Sequence, residues 1–421
     1  MHLLFVHQSF PAQFGPFAFR LANRPGWKCT FVTKAEVPAP IVRGVPIVRY
    51  ALKGGATERN HYTSRSFENA AWHTHAVYEA LAARPDVQPD VVVGHSGFGS
   101  TLFLRELYPN AAIVNLFEYF YHVAGSDMDY RPEFPTTPLD RMRARNRNAT
   151  ILLDLDHCDV GYCPTHWQRS RFPAEYQHKL EVVFDGIDTN LWKPAEERIG
   201  EIAGASIPPG MKVVTYVARG FEAMRGFDQF MKAAKILGDR RSDVIFLVIG
   251  SDRVHYGGDL KHTGGKSFKE FVLSQGDYDL SRFVFTGPLP ESALARVLAA
   301  THLHIYLTVP FVLSWSMLNA MACGAVVLGS DTAPVRELIE HGRTGLLADF
   351  QDPEAIAAAA ETVLKNPAEF RPLGSAAAER IRDHYSLDVC LPKFDRLIER
   401  WSSAPSPAPS PAPSPLTQGS P

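Results

Sequence analysis

Short, uninterrupted apolar runs recur along the chain at residues 3–6, 29–32, 91–93, 112–116, 182–184, 213–217, 244–249, 283–285, 303–307 and 325–328. A strand covered on both faces reads this way, whereas a strand with one wet face alternates apolar and polar positions. Segments of helical spacing separate most of the runs. Between those at 213 and 244, Phe227, Phe230, Met231, Ala234 and Leu237 fall at i, i+3, i+4, i+7 and i+10, one apolar stripe. Strand, helix, strand repeated in this way predicts right-handed crossovers and two open parallel α/β sheets with helices on both faces.

The periodicity lapses after Asp185, where GIDTNLWKPAEERIGEIAGASIPPG mixes turn formers, charges and prolines, and it resumes at Val213. That lapse places a first domain at 1–190 and a second at 205–385. A final helix is expected at 386–402 with Ser386 as its cap. The Pro/Ser/Ala segment 403–421 has almost nothing to bury and is expected to be a disordered tail. A length of 421 residues suits two domains, and 45% hydrophobic with 21% charged residues excludes global disorder. The 43 Lys+Arg nearly cancel the 45 Asp+Glu, so no general field exists to hold nucleic acid, and an anionic ligand must be gripped locally. Five scattered cysteines argue against a disulfide framework, and no apolar stretch reaches the ~20 residues that span a bilayer. A cytoplasmic protein with at most peripheral contact at the inner membrane face is expected.

Two segments concentrate chemistry. In FVLSWSMLNAMACGAVVLGSD, residues 311–331, Pro310 ends a strand, Ser314 can cap a helix running to Cys323, Gly324 suits the left-handed position after it, and another strand follows. The helix start then lies at the carboxyl edge of a parallel sheet, where free N–H groups and the positive dipole end can meet a phosphate. In VARGFEAMRGFDQFMKAA, residues 217–234, Arg219 and Arg225 flank a turn between a buried strand and an amphipathic helix, so both guanidinium groups can reach the same edge. Two cations beside a helix end suit a diphosphate.

VVFDGIDTNLWKP at 182–194, VARGFEAMRGF at 217–227, FTGPLP at 285–290, LNAMACGAVVLGSD at 318–331 and ELIEHGRTGLLAD at 337–349 stand in an order that resembles the GT-B glycosyltransferases of family 4. The resemblance runs to about residue 402. It implies two Rossmann-like domains facing across a cleft, the first holding an acceptor and the second a nucleoside-diphosphate sugar, with the last helix crossing back to the first domain. It implies that Arg219 and Arg225 bind the donor diphosphate, that Thr286, Gly287 and Leu289 meet the base, and that Leu313, Ser314, Trp315 and Ser316 bring the helix start to the phosphates. Metal-independent transfer with retention follows from the same resemblance, with no cofactor and with a glycan, lipid-linked or small-molecule acceptor. The family's two glutamates across this loop and helix are replaced here by Phe311 and Asn319. Asn319 can still bond a ribose hydroxyl, but Phe311 cannot act as a carboxylate. The alternative to a transferase is therefore a catalytically silent nucleotide-sugar or glycan-binding protein.

In the first domain, the loop at 7–18 occupies the family's glycine-rich position, which sets Gln8, Phe14 and Gly15 over the cleft. His95 and Glu118 each follow a strand at its carboxyl end, with Tyr121 close behind. Glu118 reads equally as a group meeting an acceptor or donor sugar and as a structural carboxylate. His157, Cys158, Cys163 and His166 have poor spacing for zinc, and Cys163 reads as a buried thiol at a strand end. GHSGF fails the nucleophile-elbow pattern at Phe98, so Ser96 is not a nucleophile. Arg141, Arg143, Arg145 and Arg147 read as a solvated helix face.

Overall fold

The computed structural model describes residues 1–195, 201–202 and 205–402. The tail at 403–421 and part of the expected inter-domain segment, residues 196–200 and 203–204, lie outside the described residues. The first lobe holds β1 (His2–Val6), β2 (Lys28–Thr33), β3 (Ile41–Val42), β4 (Val45–Arg49), β5 (Val91–His95), β6 (Ala112–Leu116), β7 (Val160–Cys163) and β8 (Leu180–Val182). Their order is β3-β4-β2-β1-β5-β6-β7-β8, parallel throughout except for β3 against β4. A short antiparallel pair, β9 (Glu201–Ile202) and β10 (Ala205–Ser206), precedes the second lobe. There β11 (Lys212–Gly220), β12 (Val244–Ser251), β13 (Phe283–Gly287), β14 (Leu303–Tyr306), β15 (Val327–Ser330) and β16 (Leu346–Ala348) form a parallel sheet in the order β13-β12-β11-β14-β15-β16. This is the doubly wound arrangement that the covered apolar runs require.

Each sheet carries buried side chains on both faces, such as Phe5 and Leu4 of β1, which enter different clusters of the first lobe. The chain passes from the first lobe to the second at Phe184–Ile187 and returns beside it. Ile187 donates its N–H to the Tyr385 carbonyl at 2.8 Å, and Leu387 donates to the Ile187 carbonyl at 2.9 Å. The final helix, Leu387–Ser402, sets Cys390 into the second-lobe core, whereas Leu391, Phe394, Leu397 and Ile398 enter the first-lobe core. Phe394 stacks on Phe17 with centroids 4.0 Å apart. It is thus a crossover helix. Ser386 does not cap it through its hydroxyl, which donates to the Arg382 carbonyl and so closes the preceding helix.

Two expected strands are displaced: the run at 325–328 pairs as Val327–Ser330, and that at 182–184 pairs as Leu180–Val182. Among the described residues no helix is long and apolar enough to cross a membrane.

Candidate active site

In the second lobe, β11 ends at Gly220 and the chain makes a single tight turn, Ala223–Arg225, before the helix Phe227–Arg240. Gly226 between them has φ +64°, and a Cβ there would sit 2.6 Å from that of Leu307, so glycine lets the turn press against the strand next door. Arg225 is pinned beneath this turn. Its Nη1 donates to the Val312 carbonyl at 2.9 Å and to the Thr308 hydroxyl at 3.0 Å. The Tyr306 hydroxyl lies 3.5 Å away and accepts the Ser314 N–H at 2.8 Å, which ties the arginine to the start of the helix Trp315–Ala322. Ser314 caps that helix by accepting from the Ser316 N–H, and Gly324 beyond it takes φ +74°.

Arg225 is thus buried and directed at the loop before residues 313–316. Arg219 is exposed at the end of β11, with its carbonyl accepting the Ser251 hydroxyl at 2.6 Å. Its guanidinium has no partner among the described residues. Thr286, Gly287 and Leu289 lie at the carboxyl end of β13, the edge strand of this sheet, with Gly287 at φ +70° and Leu289 packed on the Ile207 and Val213 cluster. Asn319 is buried one turn into the helix. Phe311 is buried between the lobes, 4.6 Å from the Tyr119 ring of the first lobe and 5.9 Å from Tyr256.

The first lobe presents four groups from the carboxyl ends of four strands: His7 after β1, His95 ending β5, Glu118 after β6 and Asp185 after β8. Nε2 of His95 lies 3.2 Å from Oε2 of Glu118, close enough for charge pairing but out of line for a hydrogen bond. Gln13 donates to the other Glu118 oxygen at 2.8 Å, and the His7 and His95 rings meet at 5.2 Å. Gly99 makes this convergence possible, because a Cβ there would fall 2.2 Å from the Val6 carbonyl and force the 95–99 loop off β1. Asp185 accepts from the Trp315 indole at 3.1 Å, a bond that crosses from the first lobe's edge to the helix Trp315–Ala322 of the second lobe.

Burial opposes charge on all four groups. For Glu118 the facing His95 outweighs that penalty and holds the carboxyl below the usual range, while His95 is raised in return. Burial, and then the charge of Glu118, pushes the Asp185 carboxyl up to about 7. Burial, with the His95 charge behind it, drives His7 down to about 3. Near neutral pH the cluster therefore holds an ionised Glu118, a neutral His7 and a half-protonated Asp185, with His95 holding its proton more tightly than a free imidazole. For Asp185 the raised value stabilises the fold below the ordinary carboxylate pKa, and this contribution is lost as pH rises through about 7. Asp185→Asn keeps an acceptor for Trp315 and cannot ionise. Its melting temperature is expected to fall less than that of the native chain between pH 5 and pH 8, and equal slopes in thermal melts would refute the assignment.

The remaining sequence candidates are placed as follows. Gln8 holds the cleft loop through its backbone, donating to Phe98 and accepting from the Thr33 hydroxyl. Gly15 begins the helix Gly15–Ala22, and Phe14 is fully buried against Phe5, so Gln13 is the side chain of that loop that reaches Glu118. Tyr121 is clamped by Asn148 through its backbone, and the Arg147 guanidinium lies 3.9 Å over its ring. The arginine face is accordingly split: Arg141 and Arg145 are solvated, while Arg143 and Arg147 lie over Tyr62 and Tyr121. Ser96 donates to the buried Asp154, and Cys158 and Cys163 are core thiols. Among the described residues no group of three or more His, Cys, Asp or Glu side chains is arranged to hold a metal ion.

Sequence reasoning missed His7, Gln13 and Asp185. His7 and Asp185 follow apolar runs as His95 and Glu118 do, so the same strand-end rule could have found them. Gln13 carries no such signal.

A model of the family described as glycosyl transferases group 1 matches residues 201–380, and one described as glycosyl transferase family 4 group matches residues 25–192. The alpha-maltose-1-phosphate synthase of Mycolicibacterium smegmatis is 27% identical over 223 residues, 51% of this chain and 55% of that protein. The D-inositol 3-phosphate glycosyltransferase of Corynebacterium glutamicum is 28% identical over 72% of this chain and 70% of its own length. The chain thus spans about half the length of the first of these relatives. Among solved structures, sucrose-phosphate synthase of Thermosynechococcus elongatus aligns with a TM-score of 0.69 at 18% identity, covering 95% of this chain and 98% of that one. Anabaena HepE in complex with UDP-glucose aligns at 0.66 and 14% identity, covering 95% and 100%. With the two family models covering most of both lobes and the fold shared end to end, the chain belongs to the family 4 glycosyltransferases of GT-B fold.

Proposed function

We propose that this chain transfers a sugar from a nucleoside-diphosphate sugar to an acceptor hydroxyl, with retention of configuration and without a metal ion. The observation that carries the reading is Arg225, buried and bonded into the loop that leads to the Ser314-capped helix, beside Phe311, which meets Tyr119 of the first lobe. HepE, of the same fold, is solved with UDP-glucose, which supports a donor of that class. In the reaction the bond between the anomeric carbon and the diphosphate oxygen breaks while a bond to the acceptor oxygen forms on the same face. The acceptor proton passes to a phosphate oxygen of the leaving group.

Charge builds on the departing diphosphate, and Arg225, Arg219 and the Trp315 N–H at the helix start stabilise it. Glu118, ionised and held by Gln13 and His95, offers a fixed acceptor to a sugar or acceptor hydroxyl. Phe311 supplies an apolar wall in place of a carboxylate, and Asn319 an amide for a ribose hydroxyl. The products are a nucleoside diphosphate and a glycoside, with glycans, lipid-linked saccharides or small polyols as the acceptor class.

The test is mass-spectrometric detection of donor hydrolysis over UDP-, GDP- and ADP-sugars, run with and without a chelator. Turnover of at least one donor, insensitive to the chelator, is expected. Arg219→Ala, a change at an exposed position, is expected to lower it by about ten- to a hundredfold with the melting temperature unchanged. Binding of nucleotides by calorimetry without turnover over the whole panel would replace this reading with that of a silent binding protein.

A further inference from the structure

Beside the two chain segments that cross between the lobes lies a cavity of about 330 Å³ lined by Pro164, His166, Val182, Phe184, Glu337, Arg380, His384, Tyr385 and Lys393. It is separate from the cluster at Glu118: Phe184 faces the cavity, while the next residue, Asp185, turns its carboxyl to Trp315. Its walls come from the first lobe, the second lobe and the crossover helix. Arg380 and Lys393 bring two fixed positive charges, and His166 and His384 bring two imidazoles. Glu337 is the single acidic residue of the lining, and both its oxygens are taken up by the backbone N–H groups of His166 and Trp167, at 2.8 and 2.7 Å. Arg380 donates through Nη2 to the Glu337 carbonyl, yet its buried Nε meets no acceptor among the described residues. Lys393 is exposed and forms no ion pair among them. A buried guanidinium N–H without an acceptor costs free energy that an anion in the cavity would recover. Phe184 and Tyr385, with rings 5.4 Å apart and edge to face, give the site an apolar side.

We propose that this cavity binds a small organic phosphate, the phosphate on Arg380 and Lys393 and the body of the molecule against Phe184 and Tyr385. The volume lies at the lower end of the range for small-molecule pockets, which suits a phosphorylated sugar better than a nucleotide. A ligand seated here touches both lobes and the crossover helix, so its affinity depends on how they are set against one another. The amides that join the crossing segments, Ile187 to Tyr385 and Leu387 to Ile187, lie close along the chain to the lining residues Phe184 and Tyr385 and report on that setting.

The experiment is calorimetric titration of the full chain with glucose 1-phosphate. Binding is expected to weaken about tenfold in Lys393→Gln, whose side chain has no structural partner, and further in Arg380→Gln/Lys393→Gln. Arg225→Ala is expected to leave it unchanged, which separates this site from the donor diphosphate site, and inorganic phosphate is expected to compete. Hydrogen exchange at the amides of Ile187 and Leu387 is expected to slow severalfold when the ligand is bound. No binding up to ~10 mM, within the millimolar limit of weak specific binding, would overturn the proposal. So would equal affinity in the native chain and Lys393→Gln, loss of binding in Arg225→Ala, or unchanged exchange at both amides.

Discussion

Arg225→Ala is expected to lower donor turnover by about a thousandfold, equivalent to roughly 4 kcal/mol of transition-state stabilisation. The size follows from how the side chain is held. An exposed cation must be ordered and stripped of water before it can stabilise a leaving group, whereas this guanidinium is already buried and oriented by Val312, Thr308 and the Tyr306 hydroxyl. Its remaining N–H groups act in a site of low dielectric. Arg225→Lys keeps the charge and loses the planar fork, so it is expected to recover part of the rate. Removing the arginine also strands the Val312 carbonyl, at about 1–3 kcal/mol of fold stability. Near-ultraviolet circular dichroism and a thermal melt therefore accompany the kinetics. A folded Arg225→Ala protein that turns over donor within tenfold of the native rate would remove the leaving-group assignment.

Both sheets were legible because their strands are covered on two faces and so appear as continuous apolar runs. The helix start at Ser314 and the left-handed Gly324 were legible for a local reason too: capping and αL preference act within a few residues. What escaped was either short or distant. β3 and β4 at the sheet edge and β16 are brief and partly wet, and Pro46 interrupts the pattern of β4. Ser386 was misread because a hydroxyl between two helices can serve either end, and the sequence does not say which.

In the second lobe, the turn that carries Arg225 and the helix start at 313–316 could be read from the strand-to-helix grammar, whereas Arg219, expected to reach the same edge, stands exposed without a partner among the described residues. The Asp185 to Trp315 bond joins residues 130 positions apart and has no periodic signature. Likewise nothing in the sequence marks the long loop at 117–137 as the arm that embraces the second lobe. In the structure Tyr130 meets Phe350, Phe134 meets Phe268, and the Tyr130 carbonyl accepts from Gln351.

At the centre of that arm Arg131 reaches across to Asp228 at the start of the helix Phe227–Arg240, with contacts of 2.7 and 3.2 Å, and donates to the Ala223 carbonyl at 2.7 Å. Arg131 is 5% and Asp228 6% exposed, and the guanidinium lies 5.0 Å from both the Phe134 and Phe350 rings. A buried pair of this kind is poor evidence of net stabilisation, but deleting one member leaves the other charged and without water. Arg131→Met is therefore expected to cost about 3–5 kcal/mol, and Arg131→Met/Asp228→Leu is expected to regain most of it.

The loss should fall on lobe docking, since Ala223 and Asp228 flank the turn that carries Arg225 and each lobe keeps its own core. Scanning calorimetry of Arg131→Met is accordingly expected to resolve a lowered transition for the second lobe apart from the first, with donor turnover falling in step. A single transition at the native temperature would mean that the arm's aromatic contacts hold the lobes together without the ion pair.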